Sequence, residues 1–142
     1  MARHRIVLDT NVLVAALRSS KGASHALLLH LGGNKVEFCL SVALALEYET
    51  VVKRPASGSR LTNTEKDDVL DYLCAECVRQ KIYFLWRPTL KDPADDMVLE
   101  VAVASGAEAI VTFNKKDFEA AKSFGIKVLS PKEFLGSLGG KS

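Results

Sequence analysis

The chain alternates short, wholly apolar runs with longer stretches that are apolar on one face. Residues 6–8 form an uninterrupted apolar run that stops at Asp9, which reads as a strand buried on both faces. Residues 11–17 carry apolar side chains at helical spacing, with a break at Gly22. Residues 23–31 continue as a second helical piece, ended by Gly32 and Gly33. A strand over 36–40 follows, and Ser41 then caps a helix that runs to about Arg54, where Pro55 forbids continuation. The Ser- and Gly-rich stretch 55–63 predicts a loop, 64–80 a helix, and the aromatic-rich 82–86 a third strand. A helix over 93–104 opens with Pro93 and closes before Gly106, the usual order of these two residues around a helix. Strands over 109–112 and 127–129 enclose a helix over 117–124. Ser130, Pro131 and Glu133 form a capping box that opens a last helix, and residues 137–142 are expected to fray.

Strand and helix alternate throughout, with no internal repeat and no linker. This predicts an α/β fold of three layers, with helices on both faces of a parallel sheet of about five strands. The length of 142 residues suits one domain with its own core.

Bulk properties narrow the partners only a little. The formal net charge of +2 does not demand a polyanionic partner, but it excludes a strongly acidic chain that would repel phosphates everywhere. The three cysteines form no disulfide pattern, which predicts a reducing cytoplasm, and Cys74 and Cys77 read as small hydrophobes in a helix. The basic start is followed by an apolar run too short for a signal peptide, and no stretch approaches the ~20 apolar residues of a membrane span.

In open parallel sheets, ligands sit beyond the carboxyl ends of the strands. On the predicted elements that edge collects Asp9, Thr10 and Asn11 after the first strand and Ser41 after the second. Asp92, Asp95 and Asp96 follow the third strand, and Thr112 and Asn114 the fourth. Glu47 lies further along its helix and would have to lean back toward the same edge. Gathered carboxylates repel one another unless a hard cation sits among them, so this edge suits Mg²⁺ or Mn²⁺. No Gly-rich phosphate loop offers another chemistry, and His25 and His30 do not share a helix face as a zinc pair would. Thr10 and Thr112 either hydrogen-bond the carboxylates or close turns. Asn11 supports the site or caps a helix, and Ser41 reads as a cap because no histidine is placed to activate it.

Four stretches around these acids resemble the PIN family, named for the PilT N-terminus. They are Ile6-Val7-Leu8-Asp9-Thr10-Asn11, Ser41 through Glu47, Asp92-Pro93-Ala94-Asp95-Asp96, and Ile110-Val111-Thr112-Phe113-Asn114. In this order they are similar to the bacterial PIN proteins classed as toxin components of toxin–antitoxin pairs, akin to VapC-type toxins. The resemblance implies a sheet in the order 3-2-1-4-5 and a metal-dependent ribonuclease in the cytoplasm. It implies Asp9, Glu47 and Asp95 as the catalytic, metal-holding acids. Where the family usually has a fourth acid this chain has Asn114, which carries no charge; Asp92, Asp96 and Asp117 are the residues that would compensate. The resemblance also implies RNA as substrate, a small antitoxin as partner and a homodimer. Lys115 and Lys116, beside the site, are the leading RNA-backbone contacts, with Arg54, Lys53 and Arg60 behind them.

Two rivals follow from the same residues. A haloacid-dehalogenase-type phosphatase would need a second acid two residues after Asp9, where this chain has Asn11. A catalytically weak or inactive PIN-fold module that binds RNA or protein is the alternative that Asn114 favours.

Overall fold

The computed structural model describes residues 3–82 and 92–139. Among the described residues five strands run in the order β1 (His4–Leu8), β2 (Val36–Leu40), β3 (Val78–Arg79), β4 (Ala109–Val111) and β5 (Lys127–Leu129). Between and after them lie α1 (Thr10–Arg18), α2 (Ala23–Leu28), α3 (Val42–Val52), α4 (Asn63–Glu76), α5 (Pro93–Ser105) and α6 (Pro131–Gly139). All strand pairings are parallel, and the sheet order is β3-β2-β1-β4-β5, with helices on both sides. The expected architecture and strand order are therefore observed.

The central strands are apolar because both of their faces are covered. Ile6, Val7, Ala109, Ile110 and Val111 are wholly buried, and Leu8 nearly so. Helix α5 packs on β1, β2 and β4, while α1 packs on α2 and α3. Val98, Leu99, Val101 and Ala102 give α5 its buried side, and Val12 and Leu13 give α1 its own.

Three expected elements are revised. The helix predicted over 64–80 starts earlier and stops at Glu76. A capping box closes its start, with the Thr62 hydroxyl accepting from the Glu65 N–H and the Glu65 carboxylate accepting from the Thr62 N–H. Beyond it Val78 and Arg79 pair with Cys39 and Leu40 as β3, and the Gln80 N–H donates to the Leu40 carbonyl at 2.8 Å. Pairing with an existing strand outweighs the local helical pattern there. The strand predicted over 82–86 falls, from residue 83, outside the described residues, and Ile82 belongs to no strand.

The helix predicted over 117–124 is a run of 3₁₀ turns, Lys115–Phe124, broken at Phe118 by non-helical angles (φ −118°, ψ 24°). Its two buried anchors, Phe118 and Ala121, are three residues apart, a spacing that matches three residues per turn. The third revision concerns the tail. Helix α6 extends to Gly139, so residues 137–139 of the stretch expected to fray are helical. The predicted capping box at its start is present, with the Glu133 N–H donating to Ser130 Oγ and the Ser130 N–H to Glu133 Oε1.

Candidate active site at the carboxyl edge of the sheet

Strand order reverses at β1. The chain leaves β1 for β2 and β3 on one side, then crosses to β4 and β5 on the other. The crevice between the carboxyl ends of β1 and β4 is thus the topological switch point, where open α/β sheets place their ligands. Leu8 of β1 stands beside Val111 of β4, so the residues that follow, Asp9 and Thr112, emerge side by side.

They are joined there. Thr112 Oγ1 donates to Asp9 Oδ2 at 2.8 Å and accepts from the Asn114 N–H at 2.9 Å. The backbone locks both residues, with the Asp9 N–H donating to the Val111 carbonyl and the Thr112 N–H to the Leu129 carbonyl, each at 2.9 Å. Thr112 is wholly buried and Asp9 only 6% exposed. From α3, the buried Tyr48 hydroxyl donates to the Leu8 carbonyl at 2.7 Å, which ties that helix to the end of β1. Asp9 occupies the N-cap position of α1, yet its side chain makes no capping bond and is turned to Thr112 instead.

Asp92, Asp95 and Asp96 open α5, where the helix dipole favours negative charge. Asp92 caps the helix, with its Oδ1 accepting from the Ala94 N–H at 2.9 Å. Burial, and then the charges of Asp9, Asp92, Asp117 and Asp96, push the Asp95 carboxyl up to about 7. Burial also raises Asp9, with help from Asp117 and Asp92, against the lowering effect of its bonds from Thr112 and Thr10. Aspartates from three separate stretches, at 9, at 92–96 and at 117, therefore share one electrostatic environment.

Other expected site residues are placed as follows. Glu47 lies half-buried on α3, which packs on both α1 and α5, and the charges that act most on Asp9 and Asp95 are aspartates rather than Glu47. Asp96 is buried, unlike the partly exposed Asp95. Asn114 is exposed at the start of the 3₁₀ run. Asn11 sits exposed in the first turn of α1 rather than at its cap. Ser41 is a cap, with Oγ accepting from the Leu44 N–H at 3.1 Å. Among the expected RNA contacts, Lys115 is paired with Glu133 at 2.9 Å and Lys53 with Glu49 and Asp67, while Lys116 and Arg54 are exposed.

Two groups escaped the sequence reading. Tyr48, next to the expected Glu47, carries no local sign of its distant partner Leu8. Glu100 is 5% exposed on α5, one turn beyond Asp96, and a charged residue inside the apolar run Val98–Val103 was the available signal.

A PIN domain family model matches residues 5–116. The chain belongs to the PIN domain family. No curated protein matches it in sequence. Among solved structures, VapBC2 from Rickettsia felis bound to a DNA fragment from their promoter superposes with a TM-score of 0.59 at 16% identity, covering 89% of this chain and 98% of that one. FitAcB from Neisseria gonorrhoeae superposes with a TM-score of 0.54 at 19% identity and the same two coverages. At these identities the likeness is one of fold.

PIN nucleases generally use divalent metal ions. The residues of this PIN domain fit a hard cation in donor type and charge. Its edge offers carboxylate oxygens that repel each other without one, and beside them the buried Thr10 hydroxyl has no hydrogen-bond partner among the described residues. Among the described residues, no three His, Cys, Asp or Glu side chains stand together as a ready-made metal group. The expected cup of Asp9, Glu47 and Asp95 is thus not preassembled as a three-residue chelate. Mg²⁺ is commonly held by one or two carboxylates and keeps several waters, so the donor set remains suitable. Among the described residues, no helix is long and apolar enough to cross a membrane.

Proposed function

We propose that this PIN domain is a metal-dependent endoribonuclease that hydrolyses RNA phosphodiester bonds, and the toxin component of a toxin–antitoxin pair. The observation that carries the reading is the gathering of Asp9, Asp95, Asp92 and Asp117 into one electrostatic group at the switch point of the sheet. Family membership and the fold shared with VapBC2 support it. A small antitoxin, a homodimer and a cytoplasmic location belong to the same proposal.

Asp9, Glu47 and Asp95 are the proposed holders of Mg²⁺ or Mn²⁺, with Asp92, Asp96, Asn114 and Asp117 as further oxygen donors. A divalent cation bound there supplies Lewis-acid neutralisation of phosphoryl charge and an acidified water. The chain's own contribution is positioning. Thr112 fixes the Oδ2 of Asp9 and so orients the carboxylate. Tyr48 holds the end of β1 against α3, the helix that carries Glu47. Burial and the neighbouring aspartates raise the Asp95 carboxyl to about 7 in the cation-free chain, a repulsion that a bound cation would relieve by favouring the carboxylate. No covalent enzyme intermediate is needed.

The test is incubation of the purified protein with RNA in Mn²⁺ or Mg²⁺, repeated in EDTA and with Asp9→Asn. Cleavage that disappears in both controls establishes the enzyme. A second reading, a PIN-fold binding module without catalysis, is favoured by the uncharged Asn114 and predicts RNA binding that survives Asp9→Asn with no cleavage under any condition.

A further inference from the structure

Two cavities share a wall at the end of α1. The first, of about 360 Å³, is lined by Arg18, Ser19, Phe113, Ser130 and Lys132 among others. The second, of about 620 Å³, is lined by Arg18, Ser19, Lys21, His25, Arg60 and apolar residues such as Leu61. Arg18 and Ser19 belong to both, so the two hollows adjoin at the end of α1. Phe113, in the wall of the first, directly follows Thr112, which holds Asp9.

The lining has one sign of charge. Among the described residues, neither cavity has an acidic side chain in its wall, and Arg18, Lys21, Arg60 and Lys132 form no ion pair. Elsewhere among the described residues some cations are matched, as Lys53 with Asp67 or Arg5 with Glu37, and others such as Lys35 and Lys127 stand unpaired. What sets these hollows apart is four cations with no acidic residue in the walls. Four like charges along these walls, on a chain with net charge of only +2, make a local positive potential that a polyanion complements. Arg18 is also held in place. Its Nε donates to the Ser57 carbonyl at 3.0 Å, which leaves the terminal guanidinium nitrogens for a ligand. Gly58, at φ +76°, lets the chain turn beneath it; a Cβ there would stand 3.1 Å from Arg18 Nε. Phe113 is 53% exposed, a large aromatic left uncovered at the mouth of the groove.

Cations along a groove with an exposed aromatic at one end are the means by which proteins hold single-stranded nucleic acid: backbone phosphates on the cations, a base on the ring. We propose that this groove is a single-stranded RNA track that leads away from the acidic edge. In it Phe113 stacks a base near the cleaved bond, and Arg18, Lys132, Lys21 and Arg60 take successive phosphates. The proposal rests on the ribonuclease reading for its direction, and assigns the RNA contacts to residues other than the paired Lys115.

The test uses the Asp9→Asn protein in chelator, so that nothing is cut, and follows the anisotropy of a labelled oligouridylate of about 12 nucleotides, a length suited to a single groove. The double variant Lys21→Ala/Arg60→Ala is expected to bind at least about ten-fold more weakly, and its slope of log affinity against log salt should fall by about 1.4, or ~0.7 per lost phosphate contact. Phe113→Ala should weaken binding by about five-fold or more through lost stacking. The charge-matched control is Lys35→Ala/Lys127→Ala. Lys35 precedes β2 and Lys127 opens β5, so both lie at the opposite edge of the sheet, and affinity should stay within about two-fold. Equal losses in both double variants, or parental affinity in the track variants, overturns the track. So does absence of RNA binding by the parent, or stronger competition by polyglutamate than by RNA of equal charge, which would make the groove a seat for an acidic protein segment. Cleavage by the wild type with unaltered binding in the track variants would sink the track alone. Track-dependent binding without metal-dependent cleavage would sink the nuclease reading alone.

Discussion

The 2.8 Å hydrogen bond from Thr112 to Asp9 ties the carboxyl ends of β1 and β4 together across the switch point of the sheet. Thr112 serves three neighbours at once: its hydroxyl holds Asp9 and receives the Asn114 N–H, and its own N–H reaches β5 through Leu129. Replacing it with valine keeps the shape and removes the hydroxyl. Thr112→Val should cost about 1–3 kcal/mol, the usual penalty for stranding buried polar partners, read as a shift of the urea midpoint. It should also lower RNA cleavage by about ten-fold or more, as loss of a group that orients a metal ligand does. Thr112→Ser should restore most of both. A valine variant as active and as stable as the parent would show that Asp9 needs no orienting partner.

Asp95 is held in the company of Asp9, Asp92, Asp117 and Asp96, and its ionised form is disfavoured in the folded chain. Asp95→Asn removes that repulsion at little change of volume. In chelator at about pH 8, where the carboxylate of the parent is ionised, the variant should be more stable by about 1 kcal/mol once solvent screening of a partly exposed group is allowed for. Such a gain raises the melting temperature by about 3 °C in a chain of this size. The same variant should lose cleavage. Increased stability with lost activity would mark a residue kept for chemistry; decreased stability would refute the electrostatic account.

Tyr48 packs inside the core with its hydroxyl on the Leu8 carbonyl. Tyr48→Phe should destabilise the fold by about 0.5–1.5 kcal/mol, the net worth of one such bond, measured by denaturant unfolding. Secondary structure should be unchanged, because the ring still fills its place. An unaltered midpoint would mean that the bond contributes nothing to holding α3 against β1.

The three cysteines are free, and burial pushes the Cys77 thiol up to about 12 and raises Cys39 as well. A thiol so placed forms almost no thiolate near neutrality and does not react. In the native protein, Ellman's reagent at about pH 8 should leave Cys39 and Cys77 unmodified and modify Cys74, which is partly exposed. All three should react in denaturant. Rapid modification of Cys77 in the native state would contradict its packing against the sheet.

Much of the fold was legible because its cues are local. Strand β1 follows from an apolar run stopped by Asp9, and α6 from the Ser130–Glu133 box, whose hydrogen bonds lie within four residues of one another. Where a distant partner competes, local cues failed. Val78 and Arg79 left a plausible helix because β2 offered an open strand edge, and the stretch after Lys115 wound as 3₁₀ to seat Phe118 in the core.

The acids at 9, 92–96 and 117 could be read along the chain as edge residues, since each follows a strand or opens a helical turn, and the family motif could be read with them. Their partners could not. That Thr112 binds Asp9 across 103 positions, that Tyr48 reaches Leu8, or that Arg18 stands in one cavity wall with Phe113 and in the adjoining one with Arg60 depends on which strands lie side by side and how the helices cross them. Sequence periodicity sets the period and the face of an element, quantities defined over a few neighbouring residues. Proximity between elements arises from burying those faces together, and it is this packing that turns a row of separate aspartates into one charged site.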